Sequence, residues 1–285
     1  MPLFRRAHSS NQPDPASPAV SQDAKPASPL TPPALAGAAL ASAPLAGLPR
    51  VSYLPAATAN WSIPQTIAAA TEWLNTCPGQ WTVVATATPG VVDTRLQALS
   101  RHHRVITAQA LLREPPRPGG ILVAWPDAET LGIISAGAGV VTAEHRILVL
   151  EWGQGSRQSA WLRAHHGVDA RYAMPYPGSR ARLIPFVVES HLAEIEPALR
   201  GTDDQLVVLE IAKSFARLQD EGHGCDPDGL WAWALERGLA PNRAELLRQR
   251  AMETLVTLDA LPKKSKKSKK KSSVESTAEP VSRSA

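Results

Sequence analysis

Residues 121–151 read ILVAWPDAETLGIISAGAGVVTAEHRILVLE, and this stretch decides the fold class. Its two apolar runs, 121–125 and 147–151, are continuous rather than alternating, which is typical of strands buried on both faces of a sheet. Between them, the Pro126-Asp127 pair predicts the start of a helix that extends to about Ser135. A strand, a helix and a second strand in this order predict a right-handed crossover within a parallel sheet covered by helices.

The same alternation runs through the middle of the chain. We therefore expect an α/β fold over residues 58–170, with a small open, mostly parallel sheet of about four strands and flanking helices. The expected strands are 81–87, 105–107, 121–125 and 147–151. The further expected helices are 64–75, with Ser62 as its N-cap, 92–102 and 158–165.

A linker over 171–185 precedes residues 186–260, which predict a helical region. Two apolar stripes recur there at helical spacing. They are Val188, Leu192, Ile195 and Leu199, followed by Val207, Ile211, Phe215 and Leu218. Asp226-Pro227 predicts an N-cap with proline in the first turn, and Gly238 suits the residue after that helix. Asn242, with Glu245 three residues later, resembles a capping box at the start of a last helix.

The net charge of +4 is distributed unevenly along the 285 residues. Residues 1–57, rich in Pro, Ala and Ser, hold four basic and two acidic residues, and residues 261–285 hold eight basic and two acidic residues. Because the whole chain has 30 basic and 26 acidic residues, residues 58–260 keep 18 basic and 22 acidic residues, which is a net charge of −4. Both ends are expected to be disordered arms that carry the positive charge of the chain.

The sequence also excludes several kinds of chemistry. Two cysteines, Cys77 and Cys225, cannot form a disulfide framework and favour a reducing, cytoplasmic location. No apolar run of about 18 residues occurs, so no membrane association is expected. The adjacent histidine pairs at 102–103 and 165–166 lack the spacing of a zinc site, and no nucleophile elbow or phosphate-binding loop is present. We therefore expect no catalytic residue, no metal and no cofactor. The sequence favours a protein that is not an enzyme.

Residues 84–90, VATATPG, are similar to the T-A-T-P stretch of superfamily 2 helicases, and the later order of strands and helices resembles a RecA-type lobe of those enzymes. Such an enzyme needs a lysine-bearing phosphate loop and a two-acid magnesium box. Between residues 26 and 262 the chain has one lysine, Lys213, which lies in an expected helix rather than in a glycine-rich loop. The resemblance therefore implies a lobe without ATPase function.

Residues 230–250, LWAWALERGLAPNRAELLRQR, resemble a helix-turn-helix in part, with Gly238 in the turn and Pro241 and Ala244 departing from the usual pattern. In this interpretation the second helix contacts DNA through Arg243, Arg248 and Arg250. The alternative is an ordinary helical hairpin with a solvated arginine face.

The basic tail is the second feature that favours nucleic acid. Seven lysines would bind a polyanion without reading its sequence, unless they serve only solubility. They are Lys263, Lys264, Lys266, Lys267, Lys269, Lys270 and Lys271. The leading prediction is a non-catalytic cytoplasmic protein that associates with nucleic acid, with DNA as the first candidate.

The rival prediction is an open-sheet enzyme or a nucleotide- or anion-binding protein whose site lies at the carboxyl ends of the strands. Asp127 can instead cap a helix, and Glu151, which ends an apolar strand, needs a partner such as Arg157 or Arg163. A third alternative is a protein-interaction scaffold that recruits a protein partner through the Pro-rich arm. The residues of the rival site would be Thr86, Thr88, Gly90, Asp127 and Glu151.

Overall fold

The computed structural model describes residues 49–56, 61–77, 79–86, 96, 103–135, 141, 144–151 and 156–260. Within these residues eight helices flank a six-stranded sheet in the order β3-β2-β4-β5-β1-β6, and every pair of neighbouring strands is parallel. The strands are β1 (Val51–Leu54), β2 (Thr82–Ala85), β3 (Arg104–Thr107), β4 (Gly120–Ala124), β5 (Arg146–Leu150) and β6 (Val168–Asp169). The helices are α1 (Ile63–Thr76), α2 (Ala108–Arg113), α3 (Ala128–Ser135), α4 (Ser156–Ala164), α5 (Phe186–Leu199), α6 (Asp204–Asp220), α7 (Pro227–Glu236) and α8 (Pro241–Ala260).

The parallel α/β architecture is confirmed, but the expected strand count of about four is wrong. The four predicted runs overlap β2, β3, β4 and β5, and the last three of these strands begin one residue before the predicted start. β1 and β6 are strands that the sequence does not predict. β1 lies inside the segment 1–57, which the composition predicts to be a disordered arm. All four of its residues are buried, and it pairs with both β5 and β6. The backbone N–H and C=O groups of β1 form hydrogen bonds with β5 and β6. Burial of its side chains offsets the entropy cost of ordering a segment that follows a proline-rich stretch.

Both faces of the sheet are covered by helices, as the continuous apolar runs predict. On one face, Leu54, Leu122 and Leu148 pack in a cluster with buried residues of α1. On the other face, residues such as Val123 and Val149 belong to one large cluster that includes buried residues of every helix from α2 to α8. The predicted α/β part and the predicted helical region therefore share a hydrophobic core.

Several helix ends agree with the sequence. Ser62 caps α1 as predicted, because its side chain accepts a hydrogen bond from the Gln65 amide and the Gln65 side chain accepts one from the Ser62 amide. Asp226 caps α7, where its carboxylate accepts from the Gly229 amide at 3.1 Å. Gly238 follows α7 with a φ of +73°, a left-handed conformation that glycine adopts without strain.

The predicted capping role of Asn242 is wrong. α8 begins one residue earlier, at Pro241, so that Asn242 lies within the first turn. Proline is well suited to the first helical position because its missing N–H would have no partner there.

Three predicted segments fall beyond the part of the chain that the structure describes. These are residues 1–48 of the N-terminal arm, residues 261–285 of the basic tail, and the helix over 92–102, of which only Leu96 is described.

Candidate functional site

The hairpin of α7 and α8 carries the three arginines that the sequence assigns to DNA. Arg243 forms an ion pair with Asp204 and donates to the Gly201 carbonyl, and only 11% of its side chain is exposed. The Nε of Arg248 donates to Asp228 Oδ1 at 2.7 Å, and 17% of its side chain is exposed. Two of the three arginines are thus already bound within the protein.

Arg250 is more exposed but also paired, with its Nη1 2.7 Å from the Oε2 of Glu253. The remaining exposed positions of α8 do not form a basic row. Among the described residues they are Asn242, Gln249, Met252, Glu253, Val256 and Thr257. The helix-turn-helix interpretation requires basic side chains on the outer face of α8, so this geometry fits the alternative of a helical hairpin more closely.

A different surface, which we call the arginine–aromatic loop, spans residues 171–186. It contains Arg171, Arg180 and Arg182, and no acidic residue occurs between Asp169 and Glu189. Its large hydrophobic side chains Tyr172, Met174 and Phe186 are exposed to solvent. Residues 171–185 of this segment are predicted only as a linker, although the acid-free run of arginines and aromatic residues is visible in the sequence.

The arginine–aromatic loop is held in place from the folded core. Arg163 of α4 donates from Nε to the Gly178 carbonyl at 3.3 Å and from Nη2 to the Arg182 carbonyl at 3.4 Å. The Tyr176 amide donates to the Gly167 carbonyl at 2.7 Å, next to β6. The loop therefore presents its side chains from a fixed backbone.

The arginines of the loop differ in how tightly they are held. Arg171 binds both carboxylate oxygens of Asp169 and is largely buried. Arg182 lies 5.2 Å from the centre of the Phe186 ring and 3.1 Å from the Glu189 carboxylate, but 66% of its side chain is exposed. Arg180 is exposed and forms no ion pair with another described residue. Arg180 and Arg182 are therefore the accessible cations of this surface.

The acidic residues at the carboxyl ends of the strands have separate partners. Asp127 accepts a hydrogen bond from the Thr130 amide at 2.7 Å at the start of α3, which is the capping role that the sequence left open. Thr86 is exposed at the end of β2, and Thr88 and Gly90 lie outside the described residues. Among the described residues, no hydrogen bond links Asp127 to Glu151, because each carboxylate has its own partner.

Glu151 lies at the end of β5 in a partly buried polar cluster. The Tyr176 hydroxyl donates to Glu151 Oε1 at 3.0 Å and lies 2.9 Å from the Ser159 hydroxyl, which can donate to it in turn. The Tyr53 ring packs edge-on against Tyr176, with 4.8 Å between the ring centres. Burial raises the pKa of Glu151 above its usual value, and the hydrogen bond from Tyr176 opposes this rise. A carboxyl with a raised pKa at this edge of a sheet can exchange a proton or bind a hydroxyl group.

Neither of the two arginines that the sequence offers as a partner of Glu151, Arg157 or Arg163, is its partner in the structure. Arg157 instead lies 3.5 Å from the Glu245 carboxylate and 3.6 Å from that of Asp228, and Arg163 binds the carbonyls of the arginine–aromatic loop. Tyr176 is the hydrogen-bond partner of Glu151 instead. It lies close to Glu151 because the loop returns to β6, where Pro175 forms an antiparallel bridge with Val168.

The described residues offer no reactive thiol and no metal centre. Burial raises the pKa of Cys77 to about 11 and that of Cys225 to about 12, so both thiols stay protonated. Within the described ranges, no group of three or more His, Cys, Asp or Glu side chains could hold a metal ion. None of the described helices combines the length and the apolar character that crossing a bilayer requires.

No protein family, characterised protein or solved structure matches this chain.

Proposed function

We propose that this protein associates non-catalytically with nucleic acid in the cytoplasm, through the arginine–aromatic loop and the lysine-rich tail. The observation that carries the proposal is that one fixed loop holds two accessible arginines, Arg180 and Arg182, and two exposed aromatic side chains, Tyr172 and Phe186. Of these, Arg182 and Phe186 contact each other directly. Arginine and aromatic side chains together are the usual means by which proteins bind the phosphates and the bases of nucleic acid strands.

The free energies of the ion pairs decide which arginines are available to a phosphate. Removing a partner from a buried pair such as Arg248–Asp228 costs about 3–5 kcal/mol. An exposed pair such as Arg182–Glu189 contributes only about 0–1 kcal/mol. A phosphate can therefore replace Glu189 beside Arg182, whereas Arg243 and Arg248 remain within the protein.

The chemistry of the loop favours single strands. A base that stacks on an exposed aromatic ring gains about 1–3 kcal/mol. Tyr172 and Phe186 can offer such rings to unpaired bases, whereas the bases of a duplex are already stacked on one another. Since stacking and phosphate contacts do not distinguish base edges, we expect weak sequence specificity. The lysines of the tail would add affinity of the same unspecific kind.

Fluorescence anisotropy with a labelled oligothymidylate tests the proposal on the full chain at low salt. Replacement of both loop arginines, Arg180→Gln with Arg182→Gln, should weaken binding by about tenfold, the loss expected for two partly solvated phosphate contacts. Arg217→Gln is a matched control because its side chain is also 66% exposed and lies outside the loop. Equal affinities of the wild type and the double variant would reject the loop as the contact surface, and absence of binding by the wild type would reject the proposed function.

The preference for single strands has its own test. The double variant Tyr172→Ala with Phe186→Ala should lose affinity for the oligothymidylate while its weaker binding to a duplex of equal length stays the same. Equal losses on both probes would show that the rings do not stack on bases.

A second candidate function, a ligand-binding protein or enzyme with its site at the strand ends, is favoured by the raised pKa of Glu151. The charge of Asp169 also raises this pKa, so the surroundings suit a hydroxyl-bearing ligand better than a phosphate. Thermal unfolding of the full chain with inositol, ribose or inorganic phosphate tests this candidate. Stabilisation by a polyol that is lost in Glu151→Gln would support it, and no stabilisation by any of the three would remove it.

A further inference from the structure

A cavity of about 550 Å³ lies at the amino-terminal ends of β1 and β5. Glu151 lies at the opposite end of β5. The C-terminal ends of α3, α4 and α7 complete the wall of the cavity. The apolar residues of its lining include Val51, Ile134, Ile147, Trp161, Ala164 and Leu235. A volume of this size with a mostly apolar wall is typical of a small-molecule site.

Two aromatic side chains in the wall favour an aromatic ligand. The rings of Trp161 and His165 lie against each other, with 4.2 Å between their centres and 46° between their planes, and both line the cavity. Aromatic rings prefer to pack against other rings in stacked or edge-on arrangements. A planar aromatic molecule would therefore gain contacts that a branched aliphatic molecule could not make.

One hydrogen-bonding group in the wall, His165, remains only partly satisfied. The Ser135 hydroxyl accepts from Trp161 Nε1 at 2.6 Å and donates its proton to the Leu131 carbonyl at 2.9 Å. Its contact with His165 Nε2 at 3.4 Å then requires the imidazole to be the donor. The Nδ1 atom of His165 is left as a hydrogen-bond acceptor.

The imidazole stays neutral under physiological conditions. Burial lowers the pKa of His165 to about 4, and the charges of Arg50 and His166 act in the same direction. A neutral imidazole can accept a hydrogen bond from a ligand, which a protonated one cannot.

The charges around the cavity oppose one another. Arg50 brings positive charge, Glu236 brings negative charge, and the three helix C-termini carry partial negative charge. A ligand with a net charge of either sign would lie near a like charge, so the surroundings favour an uncharged one.

We propose that this cavity binds an uncharged, planar aromatic molecule of one or two fused rings that donates a hydrogen bond to His165. The site is separate from the nucleic-acid surface, so each proposal can fail without the other.

Isothermal titration of the full chain with indole and 1-methylindole tests the proposal. The two probes share the ring, but only indole has an N–H to donate. Indole should bind about fivefold more tightly than 1-methylindole, which is the range of one neutral hydrogen bond. In His165→Phe the ring contact is kept and the acceptor is lost, so the two probes should bind equally. His223→Phe is the control and should keep the preference for indole.

Two further measurements locate the site and its charge preference. Ala164→Leu places additional carbon atoms in the cavity wall and should abolish binding of both probes. Indole-3-acetate and tryptamine, the anionic and cationic analogues, should bind more weakly than indole. The proposal is overturned by failure of indole to bind the wild type, by equal binding of both probes to the wild type, by unchanged binding in Ala164→Leu, or by a charged analogue that binds more tightly.

Discussion

The structure predicts that mild acid destabilises this protein through His165. Burial lowers the pKa of this imidazole from 6.5 to about 4, so the unfolded chain takes up a proton at a higher pH than the folded protein does. The stability that depends on the neutral ring is therefore complete above pH 6.5 and is lost as the pH falls towards 4. Integrated from about pH 7.5 to about pH 4.5, these two pKa values correspond to a loss of roughly 2.5 kcal/mol.

Urea unfolding of the full chain at those two pH values measures this loss. Carboxylates and other histidines also titrate in this range, so the informative quantity is the difference between the wild type and His165→Phe. We expect the wild type to lose roughly 2.5 kcal/mol more than His165→Phe, since only the wild type has to protonate this ring. The control His223→Phe should follow the wild type. Losses that agree within about 0.5 kcal/mol between the wild type and His165→Phe would refute the reasoning.

Three further sites have substitutions with defined outcomes: the Asp228 ion pair, with Arg250 as its exposed comparison, Glu151, and Ser62. Asp228→Asn should lower the free energy of unfolding in urea by about 3–5 kcal/mol, because it removes the carboxylate from the largely buried ion pair with Arg248, whereas Arg250→Ala should change it by less than about 0.5 kcal/mol; similar effects of the two would contradict this. Glu151→Gln should raise the stability at neutral pH, because burial raises the pKa of Glu151 and makes its ionisation unfavourable, and this gain should shrink as the pH falls; a gain independent of pH would count against the cause. Ser62→Ala should lower the free energy of unfolding by about 1 kcal/mol, and Ser62→Asp should lower it much less, because Asp can still cap α1. Thermal unfolding measures both, and equal stabilities of the wild type and Ser62→Ala would show that the cap contributes nothing.

Local chemistry explains which parts of the fold the sequence predicts. Ser62, Asp226 and Gly238 act on backbone groups within a few residues, so their roles can be recognised without tertiary information. β1 could not be recognised in this way. Its four residues become a buried strand only because β5 and β6, which are distant in sequence, lie on either side of it.

The candidate sites depend even more on distant contacts. Arg243 and Arg248 looked accessible in the sequence because their partners, Asp204 and Asp228, lie 39 and 20 residues away. Glu151 was expected to meet an arginine, yet its partner is Tyr176, which lies 25 residues further along the chain. The cavity at the other end of the sheet has walls from two strands and three helices that are distant in sequence. A local sequence pattern cannot predict that these elements come together.

The salt dependence of binding to single-stranded DNA tests most directly whether the arginine–aromatic loop contacts phosphates. Each phosphate contact on a single strand contributes about 0.7 to the slope of the logarithm of the association constant against the logarithm of the salt concentration. The variant with Arg180→Gln and Arg182→Gln should therefore have a slope shallower by about 1.4 than the wild type, while Arg217→Gln keeps the wild-type slope. Identical slopes for all three proteins, or no detectable binding of the wild type at low salt, would contradict the account.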